Sequence, residues 1–77
     1  MERELVEYIA KSLVDEPDSV EVHIIEGEKS TILELKVGTE DVGKVIGKHG
    51  RIAKAIRTLL SAVSTRTGKR IVLEILD

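Results

Sequence analysis

The chain contains no cysteine, phenylalanine or tryptophan, one tyrosine and one proline, and it has neither asparagine nor glutamine. Without cysteine there is no disulfide and no thiolate zinc site, so packing alone must hold the fold. Without phenylalanine or tryptophan the core must be aliphatic. The same absence argues against RRM and OB folds, which hold nucleic acid by stacking bases on aromatic rings. Lacking asparagine and glutamine, the chain cannot make the bidentate adenine contact of major-groove readers. No apolar run approaches the roughly 20 residues of a membrane span. The N-terminal stretch "MERELVEYIAKSLVDE" is charged throughout, unlike a signal peptide. A soluble, cytoplasmic protein with no membrane partner is the expectation.

What is present is a 77-residue chain with room for one core. Its net charge of -2 hides an asymmetry. Residues 1–42 carry four basic against twelve acidic side chains, a net of −8; residues 43–77 carry eight against two, a net of +6. A polyanion therefore has one basic face to bind, although the pI is acidic.

Leu5, Ile9 and Leu13 stand at helical spacing, and Pro17 ends that helix. "SVEVHIIE" and "TILELKV" alternate with period two, placing Val20, Val22 and Ile24 on one face and Thr31, Leu33, Leu35 and Val37 on another, joined as a hairpin through "GEKS". A short helix from Glu40 to Ile46, capped by Thr39, comes next. A longer one runs from Arg51 to Arg66 with Ile52, Ile56, Leu59, Leu60 and Val63 as its apolar stripe, and Gly68 stops it. "RIVLEIL" is a strand with apolar residues on both faces, the pattern of one lying well inside a sheet or against a partner. The order α-β-β-α-α-β makes an α+β fold, a three-stranded mixed sheet with three helices on one face. The helix pair is a crossover long enough to return strand 3 parallel beside strand 2.

Between the last two helices stands "GKHG", residues 47–50. Gly47 falls where the short helix must stop, and Gly50 immediately precedes the long one. The N-terminus of that helix presents N–H groups and the positive end of a dipole, an anion site. Lys48 and Arg51 sit at the turn, and Lys54 and Arg57 continue the charge along the helix. The spacing is not that of a P-loop, and no G-x-G-x-x-G follows a strand, so a triphosphate site is excluded. No cofactor, metal or small-molecule substrate is expected. His23 lies on the polar face of a strand, and no elbow motif joins Ser61, Ser64, Asp41 and His49 into a nucleophile and base, so the chain does not read as an enzyme.

"VIGKHGRIAKAI" resembles the signature of the KH domain, an RNA-binding module whose G-x-x-G loop clamps four backbone nucleotides. The element order is similar to the type II form, and the chain as a whole resembles the KhpA family of small bacterial KH proteins. That resemblance implies one KH domain over residues 1–77, with Gly47, Lys48, His49 and Gly50 as the clamp. It implies a groove lined by Val45, Ile46, Arg51, Ile52, Ala53 and Lys54, with strand 2 and a variable loop opposite, and a supporting field from Lys44, Lys54 and Arg57. It further implies single-stranded RNA as the partner, bound with low sequence specificity, an RNA-chaperone or post-transcriptional role, and self-association or pairing with a second KH protein carrying an R3H domain. Ala53 departs from the aliphatic residue many KH motifs have at that position. Two rival readings remain. A helix-turn-helix DNA binder shares the glycine turn and basic second helix, and a dimerisation module would use the apolar residues on both faces of the last strand.

Overall fold

In the computed structural model, which describes residues 2–76, helix α1 covers Glu2–Leu13. Its inward line is Val6 and Ala10, both fully buried, with Leu5, Ile9 and Leu13 half-buried beside them. The sequence pattern alone centres the face on the three larger residues. Small side chains at the centre of the contact let the helix lie close on the sheet, while the larger ones reach in from its flanks. Pro17 opens a one-turn 3-10 segment, Pro17–Ser19, which delays the first strand.

Strand β1 is Glu21–Glu26 and strand β2 is Ser30–Lys36; they pair antiparallel, Val22 opposite Leu35 and Ile24 opposite Leu33. Strand β3, Arg70–Leu76, pairs parallel with β2, Leu33 opposite Leu73 and Leu35 opposite Ile75. The order β1-β2-β3 makes β2 central and leaves β3 at an edge, not inside the sheet as its two apolar faces suggested. Those faces have different surroundings. Leu73 turns to the helices and is buried, whereas Val72 and Leu76 share the opposite face with Ile25 and Ile32. On that opposite face Ile25 is 49% exposed.

The crossover carries helix α2, Val42–Ile46, and helix α3, Arg51–Thr67. Thr39 does not cap α2; a 3-10 turn, Thr39–Asp41, precedes it. The buried line of α3 is Ala53, Ile56 and Leu60, with Ile52 and Val63 half-buried, and Gly68 ends it in the left-handed conformation. Leu59, expected in the stripe, is 49% exposed. Leu60 takes the inward place four residues after Ile56, and the helical turn swings Leu59 to the flank. Ile24, expected on the core face, lies toward the far end of β1 and is 45% exposed. Leu33, Leu35, Leu60, Val6 and Val45 form the fully enclosed centre.

Candidate nucleic-acid interface

The GKHG turn is built by backbone that only certain residues tolerate. Gly47 ends α2 with its N–H donated to the Gly43 carbonyl at 2.9 Å. Its φ of 79° and ψ of 167° fall in a region essentially closed to side-chain-bearing residues. There is also no room for a side chain, since a Cβ on Gly47 would lie 2.6 Å from Cγ1 and 2.9 Å from the backbone nitrogen of Ile52. The chain then makes one tight turn, Lys48–Gly50, closed by Gly50 N–H to the Gly47 carbonyl at 3.0 Å. His49 takes the left-handed conformation, φ 58°, one of the few non-glycine residues enriched there. Gly50 is also left-handed, φ 72°, but a Cβ there would meet open space.

Gly50 hands the chain to α3, whose start has no side-chain cap, so the positive end of its dipole is open to an incoming anion. Lys48, His49, Arg51 and Lys54 are exposed. Among the described residues none of Lys48, Arg51 and Lys54 forms an ion pair. Three cations thus stand without an ion pair around the start of α3. Of the aliphatic residues expected to line a groove here, Val45 is fully buried and Ala53 only 3% exposed, so both belong to the core. Ile46, 37% exposed, and the half-buried Ile52 are the aliphatic surface beside the loop.

Lys44 has a different place from the one expected of it. Its ammonium donates to Asp15 and to Asp41, each at 3.0 Å. Asp41 is 3% exposed and also accepts the backbone N–H groups of Glu16 at 3.1 Å and Asp15 at 3.3 Å. One buried carboxylate therefore ties the end of α1 to the start of α2, the helix that delivers the loop. The Lys44 hydrogen bond, aided by the two backbone donors and opposed by burial, holds the Asp41 carboxyl below its ordinary 3.8. The Asp41 and Asp15 carboxylates raise Lys44 above its ordinary 10.5. The depressed Asp41 contributes stability that is present above pH 3.8 and is lost as pH falls through the folded-state value. The raised Lys44 contributes stability present below pH 10.5 and lost as pH rises through its own folded value. Asp41→Asn is accordingly expected to lower Tm by several degrees at neutral pH, with the gap to wild type closing below pH 3.8. Thermal unfolding followed by circular dichroism across pH checks this, and a pH-independent gap would refute it.

A cleft runs along β3, and no residue of β2, the strand expected opposite the loop helices, lines it. As the central strand, β2 has both edges paired, whereas the outer edge of β3 lies beside α3. Between them runs a cleft of about 340 Å³ lined by Arg57, Ser61, Ser64, Arg70 and residues 71–73. Arg57 bridges it, donating from its guanidinium to the Leu73 carbonyl at 3.3 Å. The sequence places Arg57 in the basic field along the helix and does not single out Ser61, Ser64 or Arg70 as cleft residues. The signal was present, because 57, 61 and 64 fall at i, i+4 and i+7 on one helical face. Two of the residues that an enzyme reading would need are engaged elsewhere. Asp41 is committed to Lys44, Asp15 and Glu16, and the Ser64 hydroxyl donates to the Lys69 carbonyl. Among the described residues, His23 has its one polar contact with Glu21, 3.1 Å away. Among the described residues, no group of three or more His, Cys, Asp or Glu is placed to hold a metal, and no helix is long and apolar enough to cross a membrane.

The chain is similar to several known proteins. The chain is 63% identical over 76 residues to "RNA-binding protein KhpA" of Borreliella burgdorferi, covering 99% of this chain and 93% of that one. It is 61% identical over 74 residues to the protein of the same name from Clostridium perfringens, covering 96% and 99%. Among solved structures it is similar to Era in complex with MgGDPNP and nucleotides 1506–1542 of 16S ribosomal RNA, with a TM-score of 0.63 and 26% identity. That match covers 96% of this chain but only 28% of Era, so the likeness is to one part of a larger protein. The family model described as the KH domain of KhpA/KhpB matches residues 3–75. With a type II KH arrangement of α-β-β-α-α-β and a G-x-x-G turn between its second and third helices, the chain belongs to the KhpA/KhpB family of KH domains.

Proposed function

We propose that this chain is a single KH domain over residues 1–77 that binds single-stranded RNA in the cytoplasm, without catalysis or cofactor, and with low sequence specificity overall. The observation that carries this reading is the exposed GKHG turn, with Lys48 unpaired at the open start of α3. Backbone phosphates sit against Gly47–Gly50. Lys54 and Arg57 extend the positive field, while Ile46 and Ile52 take the apolar faces of bases. Lys44 acts from within the clasp, by holding α2 in place. The relatives are named RNA-binding proteins, which supports the choice of ligand.

One groove of this size contacts few nucleotides, so the affinity of a single domain is weak, on the order of micromolar. A second groove raises it by avidity, which favours a pair, either of two copies or with a KH protein carrying an R3H domain. Exposed apolar side chains at Leu59, Ile25 and Leu76 leave surface for such a pair. Weak grips of low specificity on many RNAs suit an RNA-chaperone or post-transcriptional role.

The helix-turn-helix alternative is disfavoured by α3 itself. Its Ala53, Ile56 and Leu60 are buried against the domain, and no asparagine or glutamine is available to read adenine. Competition between single-stranded RNA and duplex DNA, read by fluorescence anisotropy over a salt series, separates the two. RNA should win, and log K should fall with log salt at a slope of about −1.5 to −3, as for two to four neutralised single-strand phosphates. Preferred binding of the duplex would overturn the RNA reading.

A further inference from the structure

Gly43 is a glycine that the fold itself does not require. It lies inside helix α2, its φ is not positive, and a Cβ built on it would meet nothing within 4 Å. Glycine within a helix costs stability relative to alanine, so neither conformation nor packing accounts for it. Its place on the helix does. At about 100° per residue, with Val45 turned into the core, Gly43 comes round to the outward side between Ile46 and Lys44. Ile46 is the exposed aliphatic residue beside the GKHG turn. A strip of backbone without a side chain therefore runs from the apolar surface at the loop to the Lys44 ammonium. Bare backbone of this kind is what a closely lying chain needs.

The two carboxylates on Lys44 are not equivalent. The Asp41 side chain is 3% exposed and that of Asp15 79%, although each accepts from the ammonium at 3.0 Å. The buried arm is fixed, because Asp41 also holds the backbone N–H groups of Asp15 and Glu16. An exposed ion pair contributes little, so the Asp15 arm exchanges at small cost. Lysine carries three donors on a flexible stem, and it can keep Asp41 while passing one donor from Asp15 to a phosphate. Resting on the RNA-binding reading above, we propose that the outward face of α2, Gly43 with Lys44, is a second RNA-backbone contact beside the GKHG clamp, and that the Asp15 carboxylate competes with phosphate for it. A strand leaving the clamp past Ile46 lies flat over Gly43, and its next phosphate displaces Asp15 from Lys44. The contact reads no base, so it adds affinity without sequence preference.

The test uses a labelled ten-nucleotide single-stranded RNA of mixed sequence, titrated by anisotropy at several salt concentrations. The proteins are wild type, Gly43→Ala, Gly43→Gln, Asp15→Asn and the double variant Gly43→Gln/Asp15→Asn. Thermal unfolding comes first. Both position-43 variants should be folded with Tm raised by a few degrees, since a better helix former replaces glycine at an open site. RNA affinity should move the other way. Gly43→Gln should bind about three- to tenfold more weakly, with a salt slope shallower by about 0.7 for one lost phosphate, and Gly43→Ala should fall between it and wild type. Asp15→Asn keeps its backbone N–H on Asp41 and should bind about two- to fivefold more tightly. In the double variant that gain should vanish, because the way to Lys44 is blocked. A folded Gly43→Gln that binds as wild type does overturns the contact. An Asp15→Asn gain of equal size in both backgrounds is a general charge effect and overturns it too, while no gain in either removes Asp15 as the competitor. If wild type itself fails to bind the strand, the RNA-binding reading falls and the contact falls with it.

Discussion

Gly47→Ala is expected to abolish measurable RNA binding and to lower Tm by on the order of 15 °C. Two costs combine at this position. The backbone conformation, φ 79° and ψ 167°, is one that an alanine adopts only under strain of about 1–3 kcal/mol. The added methyl would also press on Ile52, 2.6 Å from Cγ1 and 2.9 Å from the backbone nitrogen. That backbone nitrogen belongs to the first turn of α3 and cannot move aside as a flexible side-chain end does. Relief comes only by shifting the loop away from the helix terminus, which destroys the anion site. A total near 3 kcal/mol is a large fraction of the stability of a domain this small and converts to a Tm loss of the stated order.

Gly50→Ala is the control. There the Cβ meets nothing within 4 Å, and only the left-handed conformation, φ 72°, is penalised, by about 1–2 kcal/mol. It should retain a folded loop and much of its RNA affinity. Thermal unfolding and anisotropy on the two variants decide the point, and equal effects would contradict the packing of Gly47 on Ile52.

The contrast between the two glycines shows what was and was not legible in the sequence. The two residues look alike in "GKHG", and their different roles depend on where α3 lies, which is tertiary information. The element order, the hairpin, the parallel return of β3 and the place of the loop were all readable, because period-two and helical patterns and glycine stops act locally. The role of Asp41 was not. As an acidic residue near a helix start it reads as dipole complement, whereas its burial is set by backbone donors at Asp15 and Glu16, far back in the chain. The partners of Lys44 are hidden for the same reason, since they come from that same long-range clasp. β3 misled because apolar residues on both faces are ordinarily a sign of an interior strand. In this fold α3 stands beside its edge instead, and Arg57 covers one of its carbonyls. The place of Val45 and Ala53 in the motif points to groove surface, yet the motif's aliphatic residues divide between core and surface according to helical phase.

Charge reversal at the loop tip is the second large effect and the most direct test of how the domain holds RNA. Lys48 and His49 are both exposed, and neither side chain supports the core. Lys48→Asp/His49→Asp replaces a phosphate-seeking ammonium and an imidazole by two carboxylates at the mouth of an anion site. Aspartate is also accepted in the left-handed conformation that position 49 requires. The fold should therefore persist, with Tm within a few degrees of wild type. Affinity should nonetheless fall by at least about tenfold, because losing one charge contact and adding like-charge repulsion each weaken phosphate binding. The measurement is anisotropy of a labelled single-stranded RNA titrated with wild type and the double variant at several salt concentrations, after circular dichroism has confirmed both folds. A folded variant with binding lost and a shallower salt slope is the expected result. A folded variant that binds RNA as wild type does, with the same slope, would contradict the GKHG turn as the element that grips the RNA backbone.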